Sequence, residues 1–310
     1  MNKTINSKIA AKTKHQINKF LQKASRENIS DNIAKSVSDA LKEDIKNYGN
    51  FNEAFKFIPD ENSTDEFKRG CSILGNYLNN AYDNNINSEL KQEFIKEYFN
   101  NKQPRCCICG QLLDISRNII HVDLDHFLPK RKYPQFSLTP ENFIPTCLEC
   151  NQREKKDKFI EISELKLALN ELNINLEPPI ELWKNIQFDF SFFPEPALQI
   201  EKDAQKSNGL KLVKIYSIDK RYNQIIKHCY SILFSQIKYS DIRSPESLER
   251  FIETLAFSNW QEINDGYSIN NSPQIWQEFL EWILYSESNL LALWEEVKDY
   301  SVQYSNYCNL

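Results

Sequence analysis

The chain has no uninterrupted apolar run near the ~18–20 residues that a membrane-spanning helix requires. Its first stretch, Met1 to Gln16, is polar and lysine-bearing with no apolar h-region, so a secretory signal is not expected. No prenylation signal is expected either, because Cys308 is third from the end rather than fourth. These absences point to a cytoplasmic protein with no membrane partner. There is also no internal repeat and no low-complexity tract, and nothing suggests wholesale disorder. An excess of positive charge is missing as well: 38 basic against 43 acidic residues leave −5, with a pI of about 5.6. That excludes a whole-molecule polycation held to nucleic acid by charge alone, though not a local basic groove.

What is present is an ordinary globular balance, 41% hydrophobic and 26% charged over 310 residues, enough for one sizeable core or two or three modest domains. The charge is uneven. Between Lys130 and Lys158 stand Lys130, Arg131, Lys132, Arg153, Lys155, Lys156 and Lys158 against Glu141, Glu149, Glu154 and Asp157. The C-terminal part is acidic, with Glu278, Glu281, Glu287, Glu295 and Glu296.

Three regions follow from the patterning. Residues 1–100 read as helical: Ser30 is a candidate N-cap before the stripe Ile33, Val37, Ala40, Leu41 and Ile45, with Gly49 as the stop. Ser88 likewise precedes Leu90, Phe94, Ile95 and Tyr98. Residues 101–160 change character, with cysteines, a β-like run Asn118 to Asp125, a proline-punctuated loop and a charged helix. Residues 161–310 return to helix, with a short one from Ser163 to Leu172 stopped before Pro178 and Pro179, and starts at Ser244-Pro245 and Ser272-Pro273. Phe188 to Phe192 alternates like a strand. The fold class expected is mainly α with a small α+β insertion.

Four of the eight cysteines form two CxxC pairs, Cys106/Cys109 and Cys147/Cys150, separated by 37 residues. Gly110 follows the first pair, as a tight knuckle requires. In a reducing compartment this spacing predicts tetrahedral thiolate ligation of a structural Zn2+ rather than disulfides. Cys107 falls outside the pairs and is expected to be a packed neighbour, with an alternative-ligand role left open.

Between and after the knuckles lie Asp125-His126-Phe127-Leu128-Pro129-Lys130, Glu141-Asn142-Phe143-Ile144-Pro145 and Cys147-Leu148-Glu149-Cys150-Asn151. In these residues the chain resembles the HNH endonuclease family, over residues 105–159, or 55 of 310. More narrowly, the run from Asp125 to Lys130 is similar to HNH nucleases of bacterial anti-phage systems of the Septu type. The resemblance implies a ββα-metal core, cleavage of DNA leaving 5′-phosphate ends, and a structural role for Asn142, whose amide would bond the loop that holds His126. Chemistry agrees with that outline. Phosphodiester hydrolysis needs a base, which His126 can supply, and a cation to offset developing charge. Asp125 and Asn151 offer the hard oxygen donors suited to Mg2+ or Mn2+. The chain departs from the family name in having Asn151 where a last histidine is expected, and Lys155 four positions on, which favours Mg2+ over a softer ion.

Neighbouring residues in a strand face opposite sides, so Asp125 and His126 converge only if the pleat breaks there. His121, Asp123 and Asp125 share one alternating face, either a solvated one or support for the site. Lys130, Arg131, Lys132, Lys155, Lys156 and Lys158 are candidates for phosphate contacts. His228-Cys229 and the tryptophans Trp260, Trp276, Trp282 and Trp294 read as core or surface of helices rather than as a site. The expected function is a metal-dependent DNA endonuclease, with an RNA nuclease and a non-catalytic zinc-dependent nucleic-acid-binding module as alternatives. The acidic C-terminal helices are expected to dock a partner ATPase or a second copy of the chain.

Overall fold

The computed structural model describes residues 3–50, 55–100, 104–116, 119–156, 158–174, 182, 188–189, 197–198, 207–265 and 273–307. Asn118, residues 190–192, Ser272 and Cys308 lie outside them.

The described residues open with three packed helices. Helix α1 (Lys3–Lys23) buries Ile5, Ile9, Ile17 and Phe20. Helix α2 (Asp31–Lys46) buries Ala34, Val37, Ala40 and Leu41, starts after Ser30 in an extended conformation and ends before Gly49 at φ +89°. Ser30 makes no side-chain cap; its amide donates instead to Glu66. Helix α3 (Asp65–Ala81) is capped by Thr64, whose Oγ1 accepts from the Phe67 amide at 3.2 Å. Two glycines let α3 be approached closely: a Cβ on Gly70 would lie 2.9 Å from Val37 Cγ2, and one on Gly75 3.0 Å from the Pro134 ring.

The stripe expected after Ser88 is helical and buried, at Leu90, Phe94, Ile95 and Tyr98, but no new helix starts at Ser88. Helix α3 continues through a π-helical stretch, Tyr82–Leu90, into helix α4 (Lys91–Phe99). No proline or glycine stands between Tyr82 and Leu90 to stop it, and the buried Tyr82, Ile86, Leu90 and Phe94 keep the stretch on the core.

Beyond α4 the described residues hold six short strands in three antiparallel pairs. β1 (Asp114–Ser116) pairs with β2 (Ile119–His121), β3 (Asp123–His126) with β4 (Phe143–Thr146), and β5 (Phe188–Asp189) with β6 (Ala197–Leu198). The β-like run read as one strand is therefore two, broken at Val122 and shared between different hairpins. The charged helix expected after β4 is a short π-helical turn, Glu149–Lys155 (the π-turn).

Helices α5 (Ile162–Glu171), α6 (Ser207–Ile215), α7 (Ile218–Lys238), α8 (Pro245–Asp265), α9 (Pro273–Tyr285) and α10 (Glu287–Tyr307) complete the chain. Pro245 and Pro273 open α8 and α9, where a fixed φ and a missing N–H cost nothing. Trp276 is buried and Trp282 and Trp294 pack against the core, while the Trp260 side chain lies outside the described residues. The protein is thus mainly helical around a small antiparallel hairpin and a cysteine cluster. Among the described residues no helix is long and apolar enough to cross a membrane.

Candidate metal centre and the hairpin beside it

Both CxxC pairs meet. The four Sγ atoms of Cys106, Cys109, Cys147 and Cys150 lie within 4.8 Å of one another, with Cys109 and Cys147 at 3.9 Å. Gly110 at φ +68° closes the first knuckle by donating its amide to the Cys106 carbonyl at 2.8 Å. The second knuckle turns the Cys150 amide toward Cys147 Sγ at 3.4 Å. Tetrahedral zinc with Zn–S bonds of about 2.3 Å needs sulfurs about 3.8 Å apart, so these residues fit a zinc ion after slight contraction. Four thiols this close do not all ionise unaided. Hydrogen bonds from Cys106, Cys109 and Cys150 drive the Cys147 thiol down, burial raises Cys106, and its three neighbours raise Cys150. A cation is what would let all four be thiolates. Cys107 stands outside the cluster, its thiol donating to Tyr98 Oη at 3.5 Å and its amide to the Pro145 carbonyl.

β4 leads directly from the hairpin into the cluster, and Asn151 follows Cys150. The π-turn then lies along one face of β3. Asn151 Nδ2 donates to Asp123 Oδ2 at 3.0 Å, Gln152 Nε2 donates to the same oxygen at 2.8 Å, and Lys155 Nζ donates to Asp125 Oδ2 at 2.6 Å. Residues i and i+2 of a strand lie about 6.7 Å apart on one face, and residues four apart in the π-turn come round to the same side. Asp123 and Asp125 therefore meet Asn151 and Lys155 in parallel. The face carrying Asp123 and Asp125 is thus a packed face rather than a solvated one; the His121 side chain lies outside the described residues.

Lys155 is 2% exposed and Asp125 8%. The ammonium also donates to the His126 carbonyl. Burial raises the Asp125 carboxyl, and the adjacent Lys155 charge opposes that rise.

Asp125 pairs with Ile144 and His126 with Phe143, so the pleat is unbroken and the two side chains have different surroundings. His126 is 6% exposed. Its ring meets the Tyr82 ring edge-on at 4.2 Å, and its Nε2 lies 3.2 Å from the Ser137 carbonyl oxygen. Burial pushes the imidazole pKa down to about 3, against the hydrogen bond to Ser137.

Asn142 is fully buried and closes the loop between β3 and β4. Its Oδ1 accepts from the Leu128 amide at 2.7 Å, and its Nδ2 donates to the Leu128 and Phe136 carbonyls at 3.0 and 3.2 Å. Tyr48 Oη, at the end of α2, donates to the same Oδ1 at 3.2 Å. The neighbouring Ser137 hydroxyl donates to Asn79 Oδ1 on α3. Asp44 of α2 accepts from the Lys56 and Phe57 amides at 2.8 and 3.0 Å and from Gln135 Nε2 at 3.3 Å. The N-terminal helices therefore hold the loop that faces His126.

The chain is 28% identical over 237 residues to protein ea31 of Escherichia phage lambda, covering 67% of this chain and 72% of that protein. No family model matches the chain, and no solved structure matches it.

The sequence-derived residues fall into two groups in space. The four cysteines converge. Asp125, His126, Asn142 and Asn151 all lie on the β3–β4 hairpin or the turn after it, yet Asn151 is held by Asp123 while Asp125 is held by Lys155. Sequence reading placed Lys155 among surface phosphate contacts, and the structure buries it. The i, i+4 spacing of Asn151 and Lys155 opposite the i, i+2 acids was the signal available for it. Of the other basic candidates, Lys130 pairs with Asp83 and lies 4.8 Å from the Tyr82 ring centre, and Lys132 pairs with Glu161 at 2.6 Å. Tyr48, Tyr82 and Ser137 carried no sequence signal, since each acts through a long-range contact.

Proposed function

We propose that this chain is a divalent-cation-dependent nuclease of the HNH type, with β3, β4 and the π-turn as its ββα-metal unit, hydrolysing phosphodiester bonds of DNA. The observation that carries the reading is the setting of His126. A carbonyl oxygen only accepts, so the contact with Ser137 puts the ring proton on Nε2 and leaves Nδ1 as the basic lone pair. Burial keeps that ring neutral but also makes it a weak base, with a pKa of about 3, so taking a proton from water requires the ring to gain solvent access when substrate binds. Asn142 supports this by tying Leu128 and Phe136 together, which fixes the loop that leads into Ser137.

Asp125 and Asn151 would hold the cation. Because the unbroken pleat of β3 sets Asp125 and His126 on opposite faces, bringing base and cation to one phosphate requires a local shift at these two residues. Carboxylate and amide oxygens are hard donors suited to Mg2+ or Mn2+, and Asp123, by taking the Asn151 amide nitrogen, leaves the carbonyl oxygen as that residue's donor atom. A cation there supplies charge neutralisation at the phosphate and the leaving oxygen. Lys155 now provides the positive charge beside Asp125, so loading the site requires its ammonium to move aside. The four cysteines, with zinc, anchor the start of the π-turn and act on catalysis through position alone.

The test is incubation of the purified protein with plasmid DNA and with RNA, in Mg2+, in Mn2+ and in EDTA. DNA cleavage in either cation and none in EDTA is expected. Cleavage confined to RNA would assign the same centre to RNA, and binding without cleavage under every cation would overturn the nuclease reading in favour of a zinc-dependent binding module.

A further inference from the structure

The proposed centre leaves a question of grip. In the basic run beside it Lys155 is buried against Asp125, and the positive charge of Lys130, Lys132 and Arg153 is offset locally by Asp83, Glu161 and Glu149. Yet the chain as a whole carries −5. One element runs strongly against that balance. Helix α1 has six lysines and no acidic residue in 21 positions, so the other 289 residues carry −11.

The lysines of α1 are ordered in space. At 100° per residue, Lys8, Lys12, Lys19 and Lys23 fall within an arc of about 60°, a single stripe roughly 22 Å long. The stripe borders the buried face of the helix on the side of α3 and α4. Lys8 Nζ pairs with Glu93 of α4 at 2.6 Å, and Lys19 Nζ lies 4.7 Å from the ring centre of Tyr77 on α3. Two residues before Glu93, Lys91 Nζ lies 4.0 Å from Asp123 Oδ1, and Asp123 holds Asn151. The Lys8 end of the stripe is thus linked through the first turn of α4 to the rim of the proposed centre.

We propose that the lysine stripe of α1 is the surface that binds the phosphate backbone of the nucleic acid and leads it to the β3–β4 hairpin. This rests on the nuclease reading for its choice of ligand but not for its geometry. A row of lysines is a set of point charges on flexible stems, suited to a polyanion of regular charge and carrying no base selectivity. The exposed pair of Lys8 with Glu93 is no obstacle, since such pairs contribute about 0–1 kcal/mol and exchange readily. An anionic membrane is the poorer match, because a membrane-surface helix inserts its apolar face. In α1 that face, Ile5, Ile9, Ile17 and Phe20, is already inside the core.

The experiment uses the full chain carrying His126→Ala, in EDTA, so that no cleavage intervenes. Binding to a labelled duplex is read by fluorescence anisotropy over a salt series. One variant adds Lys12→Gln, Lys19→Gln and Lys23→Gln. A second removes the same charge elsewhere, with Lys14→Gln on the far side of α1, Lys35→Gln and Lys220→Gln. The stripe variant is expected to bind on the order of tenfold or more weakly, and its slope of log K against log salt to fall by about 3, near 0.9 per lost phosphate contact. The control variant should keep both values. Equal loss in the two variants, or an unchanged slope in the stripe variant, overturns the proposal. Preference of the parent protein for phosphatidylserine vesicles over the duplex does so as well. A stripe-dependent duplex that the wild-type chain never cleaves under Mg2+ or Mn2+ would sink the nuclease reading and leave this one standing.

Discussion

Lys155 and Asp125 form a buried ion pair, Nζ to Oδ2 at 2.6 Å, between a π-turn and the strand that carries His126. Each charge depends on the other, because taking either out of water alone is expensive and their attraction offsets the cost only while both are present. The pair also places a cation at the residue proposed to bind one. Removing the ammonium should therefore destabilise the protein and open the site together. Lys155→Met is expected to cost about 3–5 kcal/mol by leaving a buried carboxylate unpaired. Mn2+ should recover part of that loss and bind the variant more tightly than wild type. Thermal melts and Mn2+ binding followed by electron paramagnetic resonance check this. An unchanged melting temperature, or the same Mn2+ midpoint in both proteins, would show that Lys155 does not guard the site.

Asn142 makes three hydrogen bonds to loop backbone from a fully buried position. Asn142→Ala leaves the Leu128 amide and carbonyl without that partner, and each orphaned buried group costs about 1–3 kcal/mol. A loss of roughly 3 kcal/mol in denaturant unfolding is expected, with cleavage reduced because the loop no longer presents Ser137 to His126. Equal stability of the two proteins would mean that the loop is held by other contacts.

The thiol cluster predicts about one zinc per chain by elemental analysis, the stoichiometry of a four-thiolate site. Cys150→Ser should lose that zinc and loosen the π-turn, with faster amide exchange from Asn151 to Lys155. Brief EDTA treatment should stop cleavage reversibly, Mg2+ or Mn2+ restoring it while the zinc stays in place. A zinc-free protein that remains folded and cleaves would assign the cysteines another purpose.

Much of the scaffold was legible because its signals are local. Ser30, Gly49, Pro245 and Pro273 mark helix ends through their own backbone preferences, and the two CxxC pairs announce a shared cluster whatever lies between them. The stripe after Ser88 was legible as a buried helix, but its start was not, because the core contacts of Ile86 and Leu90 carry the helix through from α3. The hairpin was half legible. Alternation revealed extended backbone, but the break at Val122 follows from which partner each half pairs with. Lys155 was not legible as a buried group, since its position depends on the π-turn, whose wider hydrogen bonding has no residue signature here. The clamp on the loop facing His126 draws on Tyr48, Asn79 and Asp44, which stand 58 to 94 residues from their partners. Only the folded chain brings them together.

The most direct measurement of the central claim is plasmid cleavage by wild type and by His126→Ala, side by side in Mg2+ and Mn2+, with zinc content and melting temperature recorded for both. The account predicts nicked or linear product from wild type alone, from two proteins that hold the same zinc. Cleavage at the wild-type rate by His126→Ala, folded and zinc-loaded, would contradict it.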